Sequence, residues 1–124
     1  MNYEKDFVTE TLVIFKIDGR EFTFKPTTGG DESEWLKDIM YINPETRIPQ
    51  VDWGEYNKKK LANILSVPYD QETIKKIINV DMEWKGLNND QRQLLLSKLR
   101  PGMMDQIVNE IKKIDVPDET ALKN

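Results

Sequence analysis

Two groups of acids are the first candidates for chemistry. Asp31, Glu32 and Glu34 crowd together, and Asp81 and Glu83 flank Met82 just before Trp84. Clustered carboxylates can ligate a cation, and paired carboxylates can divide acid and base roles across several ångströms. Neither group carries the second signal that such chemistry needs. A cation site takes more converging oxygens than one helical turn supplies. Acids in a first turn also complement the positive end of a helix dipole, and that reading outweighs a metal for Asp31, Glu32 and Glu34. Asp81 and Glu83 read as a solvated loop.

Three other stretches invite a function. Thr28-Gly29-Gly30 suggests a phosphate loop, but no Gly-Lys-Ser/Thr or GxGxxG follows, so the glycines read as a turn between two elements. Lys58, Lys59 and Lys60 lie near Trp53 and Tyr56, a mixture that can bind single strands by stacking and charge. The chain carries a formal net charge of −4, and nucleic-acid binding is driven by neutralising phosphates with basic surface. The lysines therefore read as a solvated helix face, and nucleic acid is disfavoured as a partner. Met103-Met104 opens the last apolar stripe. Methionine adapts to irregular partners, though a stripe at helical spacing is first of all core.

What is missing narrows the classes further. The chain has no cysteine and no histidine. Disulfides, thiol nucleophiles, cysteine zinc sites and histidine general bases are excluded. Only carboxylate chemistry survives, and no motif supports it. The expectation is a non-enzymatic protein with no catalytic residue, no metal site and no cofactor. The opening MNYEKDFVTE lacks the basic-then-apolar pattern of a signal peptide. No apolar run is long enough to span a bilayer. A cytoplasmic protein with no membrane partner is expected.

The 124 residues suit one domain, and 38% hydrophobic against 32% charged residues suits a folded one. TLVIFKIDGREFTFK, residues 11–25, holds two strand-like runs joined by Asp18-Gly19. That dipeptide favours a two-residue type I′ turn. Phe22 and Phe24 alternate with Thr23 and Lys25, as in a half-buried strand. A lone hairpin is marginal in water, so this one needs a helix, a third strand or another chain.

Asp31 and Glu34 have capping-box spacing, which predicts a helix over about 32–42 with Trp35, Leu36, Ile39, Met40 and Ile42 on one face. NPETRIPQV, 43–51, carries two prolines and reads as a loop. Asp52 caps a helix to about 65, with Trp53, Tyr56, Leu61, Ile64 and Leu65 apolar. Residues 61–68 fit equally well as a strand beside the hairpin. Asp70 caps a helix over 71–79 with Ile74, Ile77 and Ile78 inward. Asn88 and Gln91 start another, with Leu94, Leu95 and Leu99 in one stripe, stopped by Pro101-Gly102. Met103, Met104, Ile107, Val108, Ile111 and Ile114 form the last stripe. The fold class is α+β: a β-hairpin at 11–25, then about four helices over 31–114, all one domain. Residues 115–124 read as a flexible tail.

Trp84-x-x-Leu87 followed by DQRQLLLSKLRPGMMDQIVNEI resembles the C-terminal helical part of phage tail assembly chaperones. Those proteins also begin with a short hairpin, here Leu12 to Phe24. Leu94, Leu95, Leu99, Pro101, Ile107 and Ile111 continue the pattern, while 43–61 matches nothing in it. The resemblance implies a protein that binds the long, helical tape-measure protein, keeps it soluble during tail assembly, and helps recruit tail-tube subunits. It places the protein in the host cytoplasm, as a viral or prophage product. The contact residues expected on this reading are Leu95, Leu99, Met103, Met104 and Ile107. A small nucleic-acid-associated regulator and a structural virion protein are the alternatives, and homo-oligomerisation stays open.

Overall fold

The computed structural model describes residues 3–116. β1 (Val13–Ile17) and β2 (Arg20–Phe24) form the expected hairpin. Asp18 and Gly19 both take positive φ, 50° and 79°, the signature of the type I′ turn. Only the second costs nothing sterically, because glycine has no Cβ. Phe15 sits opposite Phe22, and their rings stack 5.2 Å apart. Such cross-strand aromatic pairs are a main source of sheet stability.

The hairpin gains a third strand. Residues 53–65 are not one helix: α2 (Trp53–Leu61) ends at Ala62, and β5 (Ile64–Ser66) pairs antiparallel with β2. The sheet order is β1-β2-β5. Its inner face carries Phe15, Ile17, Phe22, Phe24 and Ile64, all buried. Against that face lie Ile74, Trp84, Leu87, Leu95, Leu96, Ile107 and Ile111, in one continuous core. The Trp84 indole N–H donates to the Ile64 carbonyl at 3.3 Å. That bond satisfies the ring's one donor as it is buried.

α1 (Gly29–Ile39) starts earlier than its acids suggest. Thr28, not Asp31, is the cap. Its Oγ1 accepts from the Asp31 N–H at 3.0 Å, and the Asp31 carboxylate accepts from the Thr28 N–H at 3.1 Å. This reciprocal box offsets the poor helix propensity of the two glycines, neither of which takes positive φ. They form the first turn of the helix rather than a bend before it.

The predicted continuation to 42 is also corrected. Met40 turns extended, and β3 (Met40–Ile42) pairs with β4 (Pro49–Val51) as a second, separate hairpin. Pro44 disfavours helical backbone at Asn43. The Asn43 side chain then accepts from the Glu45 and Thr46 N–H groups at 2.9 and 3.3 Å, closing the turn. What reads as a proline-rich loop is the tip and return strand of this hairpin.

α3 (Gln71–Ile78) is capped by Asp70 and ends on Asn79 in the left-handed region, φ 58°. Ile74 is buried, Ile78 is partly so, but Ile77 faces solvent at 48% exposure. α4 (Asn89–Ser97) has the Asn88–Gln91 capping box. Its inward pair is Leu95 and Leu96, and Leu94 points out. α5 (Pro101–Asp115) begins with Pro101 at its first position, where the missing N–H is not needed. The described residues thus hold five α-helices. None is long and apolar enough to cross a membrane.

Asp115 does not belong to the tail. It is the last residue of α5, with a side chain only 4% exposed. It accepts from the Thr27 N–H at 2.9 Å and forms an ion pair with Lys60. Val116 caps that helix, its N–H donating to the Lys112 carbonyl at 2.8 Å, and the rest of the expected flexible stretch, 117–124, lies outside the described residues.

Candidate functional site

The expected contact residues occupy two settings. Leu95 and Ile107 are buried, at 4% and 0% exposure, and belong to the core. Leu99, Met103 and Met104 are partly buried and packed on its rim. The Met103 sulfur lies 3.9 Å from an Arg20 guanidinium nitrogen at the first hairpin's turn. Leu95 and Ile107 are therefore committed inward, while Leu99, Met103 and Met104 keep part of their surface at the rim. A partner could reach Leu95 or Ile107 only if the core opened.

The neighbouring side of α5 faces a groove. α2 forms the other wall, and the cavity between them is about 320 Å³. Leu61 and Ile111 form its floor, both buried. Val108 and Trp53 stand at its lips, and Trp53 is 64% exposed. Asp52 positions that wall: its carboxylate caps α2 by accepting from the Glu55 N–H at 3.1 Å. One turn on, Tyr56 packs edge-on between Trp53 and Trp35, at 5.3 and 6.0 Å. Its hydroxyl donates to Glu32 at 3.2 Å. Burial pushes the Tyr56 hydroxyl above its usual range, against the opposing pull of the Lys60 ammonium. Tyr56 therefore stays a neutral donor at physiological pH.

The groove is closed at one end by charge. The Lys60 ammonium lies 5.5 Å from the centre of the Tyr56 ring and pairs with Asp115. Lys60 is only 14% exposed in its side chain. A desolvated pair of this kind is costly to break, because one charge would be left buried alone. Within the groove the pair is spent on shape, and what remains on offer is mainly apolar surface, with Asn57 and Lys112 at its margin.

The other candidates resolve as structure. Lys58 pairs with Glu55 at 3.1 Å and Lys59 with Asp38 at 3.5 Å, so each lysine of the cluster meets a carboxylate. Glu34 pairs with Lys37 at 2.9 Å. Asp81 accepts from the Gln71 amide at 2.8 Å. Among the described residues no three acidic side chains converge on one point. The signal for the groove was present in the chain: Trp53, Tyr56 and Lys60 share one face of α2. Its counterpart on α5 could not be chosen from periodicity, since Ile107 and Val108 are adjacent and both fit the apolar stripe.

Comparison with protein-family models, curated proteins and solved structures finds no match for this chain.

Proposed function

We propose that this chain is a non-enzymatic protein-binding module that acts as a tail assembly chaperone, holding an amphipathic helix of a long tape-measure-type protein. The observation that carries the reading is the apolar groove between α2 and α5, with Trp53 exposed at its lip. Helix-in-groove recognition needs an apolar trough and a few large anchors. Aromatic side chains at a pocket edge are the usual hot spots. A net charge of −4 helps keep a chain with open apolar surface in solution. The Trp84-x-x-Leu87 segment and the two helices after it add the family resemblance to this geometry. On this reading tail-tube subunits are a second class of partner.

The test is a binding titration. Amphipathic helical peptides tiled from a tape-measure-type protein encoded beside the chain are added, and tryptophan fluorescence is followed. Val108→Asp puts a charge at the apolar lip and weakens binding by roughly a hundredfold, the effect of about 3 kcal/mol. Its circular dichroism stays that of the parent chain. Equal binding by parent and variant would move the contact away from the groove, and no binding by the parent would sink the reading.

A further inference from the structure

The second hairpin leaves most of its apolar side chains in solvent. Met40, Tyr41, Ile42 and Ile48 are 47%, 50%, 67% and 59% exposed. The cross-strand pairs Met40–Val51 and Ile42–Pro49 make one face of the hairpin wholly apolar. Its two edges differ. The Asn43 N–H donates to the Ile48 carbonyl, and the Asp52 N–H to the Ile39 carbonyl. By the alternation of an antiparallel pair, the backbone groups of Met40 and Ile42 then point away from β4. The Met40 N–H is held by Leu36 at the end of α1. The Met40 carbonyl and both backbone groups of Ile42 face outward. On the opposite edge Pro49 has no N–H to offer, so that edge is blunted.

Edge strands are normally guarded by a charge, a proline, a bulge or a cover. β1 carries exposed Lys16 on its outer edge, and β5 is covered beside Trp84. β3 has none of these.

We propose that β3 pairs with β3 of a second copy of this chain, antiparallel about a two-fold axis at Tyr41, to form a four-stranded sheet. The Ile42 N–H of each copy donates to the Met40 carbonyl of the other. Met40 and Ile42 become cross-strand neighbours on the apolar face, and the two Tyr41 rings meet on the other. The pairing carries each turn, with Glu45 and Arg47, toward the last turn of the other copy's α1, where Lys37 and Asp38 already pair with Glu34 and Lys59. Neither Glu45 nor Arg47 has an ion-pair partner among the described residues. Because Pro49 closes the far edge, association stops at two copies and does not run on into a fibre. The inference is independent of what the α2–α5 groove binds.

Sedimentation equilibrium of the full chain over the micromolar range tests it. The parent chain is expected to show a monomer–dimer equilibrium. Tyr41→Lys sets like charges opposite each other across the axis and raises the dissociation constant by roughly tenfold or more. Tyr41→Glu does the same. An equimolar mixture of the two restores a dimer, because each heterodimer sets Lys against Glu. Circular dichroism confirms that both variants fold. A parent chain that stays monomeric throughout overturns the proposal. So does a dimer that Tyr41→Lys leaves unchanged, or one that the mixture fails to rescue, since the copies would then meet elsewhere.

Discussion

The chain makes two antiparallel hairpins from similar material and treats them differently. In β1–β2 the inward side chains Phe22 and Phe24 have no exposure at all. In β3–β4 no residue is buried, and Ile42 reaches 67% exposure. Strand propensity does not separate them, since both hold aromatic and β-branched residues. What separates them is cover. The first hairpin receives β5 on one side, and α3, α4 and α5 fold toward its inner face. The second is an excursion between α1 and α2, which pack on each other at its base. Ile39, at that base, is buried yet outside the main core. Hydrophobicity written into a strand is thus not a statement of burial until another element arrives to cover it.

This contrast can be broken or sharpened by substitution. The largest effect is expected for Phe22→Ala, which empties a fully buried ring site and should lower unfolding free energy by about 3–5 kcal/mol in urea titrations. A loss below about 1 kcal/mol would mean that the first hairpin is no better anchored than the second. Next comes Asp115→Ala. It leaves Lys60 without its partner and releases the Thr27 N–H that ties the end of β2 to α5, and should cost about 3 kcal/mol in the same assay. Gly19→Val forces a β-branched residue to φ 79° and should cost about 1–2 kcal/mol. Ile42→Ala, measured at the lowest workable protein concentration, should change stability by no more than about 0.5 kcal/mol. A larger loss would show that the second hairpin is held from a side the exposures do not reveal.

The smallest effect is electrostatic and belongs to α1, which leads into the second hairpin. The Thr28 N–H holds the Asp31 carboxyl below its usual range. A lowered folded pKa stabilises the native state above the unfolded value, about pH 4. That contribution fades as pH falls through the lowered value. Asp31→Asn should therefore flatten the loss of stability below about pH 4, read as a shallower slope of thermal midpoint against pH.

The first hairpin was legible because Asp18-Gly19 names its turn and the phenylalanines keep period two. The second was not. β3 is three residues long, and Met40 and Ile42 extend the helical stripe begun by Trp35 and Ile39. Its turn also places Arg47 in the left-handed region, φ 58°, where no glycine advertises it. The helix caps at Asp52, Asp70 and Asn88 could be read directly, since each side chain bonds three residues ahead along its own chain. Thr28 was harder to see, because two glycines follow it. The groove was the least legible feature. Whether Ile107 or Val108 faces the core depends on how α5 rolls against the sheet, and that is set by residues far away in the chain.

One such distant tie is the Asp115 carboxylate, which reaches Thr27 and Lys60 across 88 and 55 residues of chain. Contacts of such span close late, because a long loop must be ordered before they repay it. During synthesis Asp115 emerges after both of its partners and after α2, so the trough beside α2 cannot be finished until then. The helix that supplies one wall of the trough also supplies Ile107 and Ile111 to the core beneath it, so the apolar opening and the cover of the sheet are completed together.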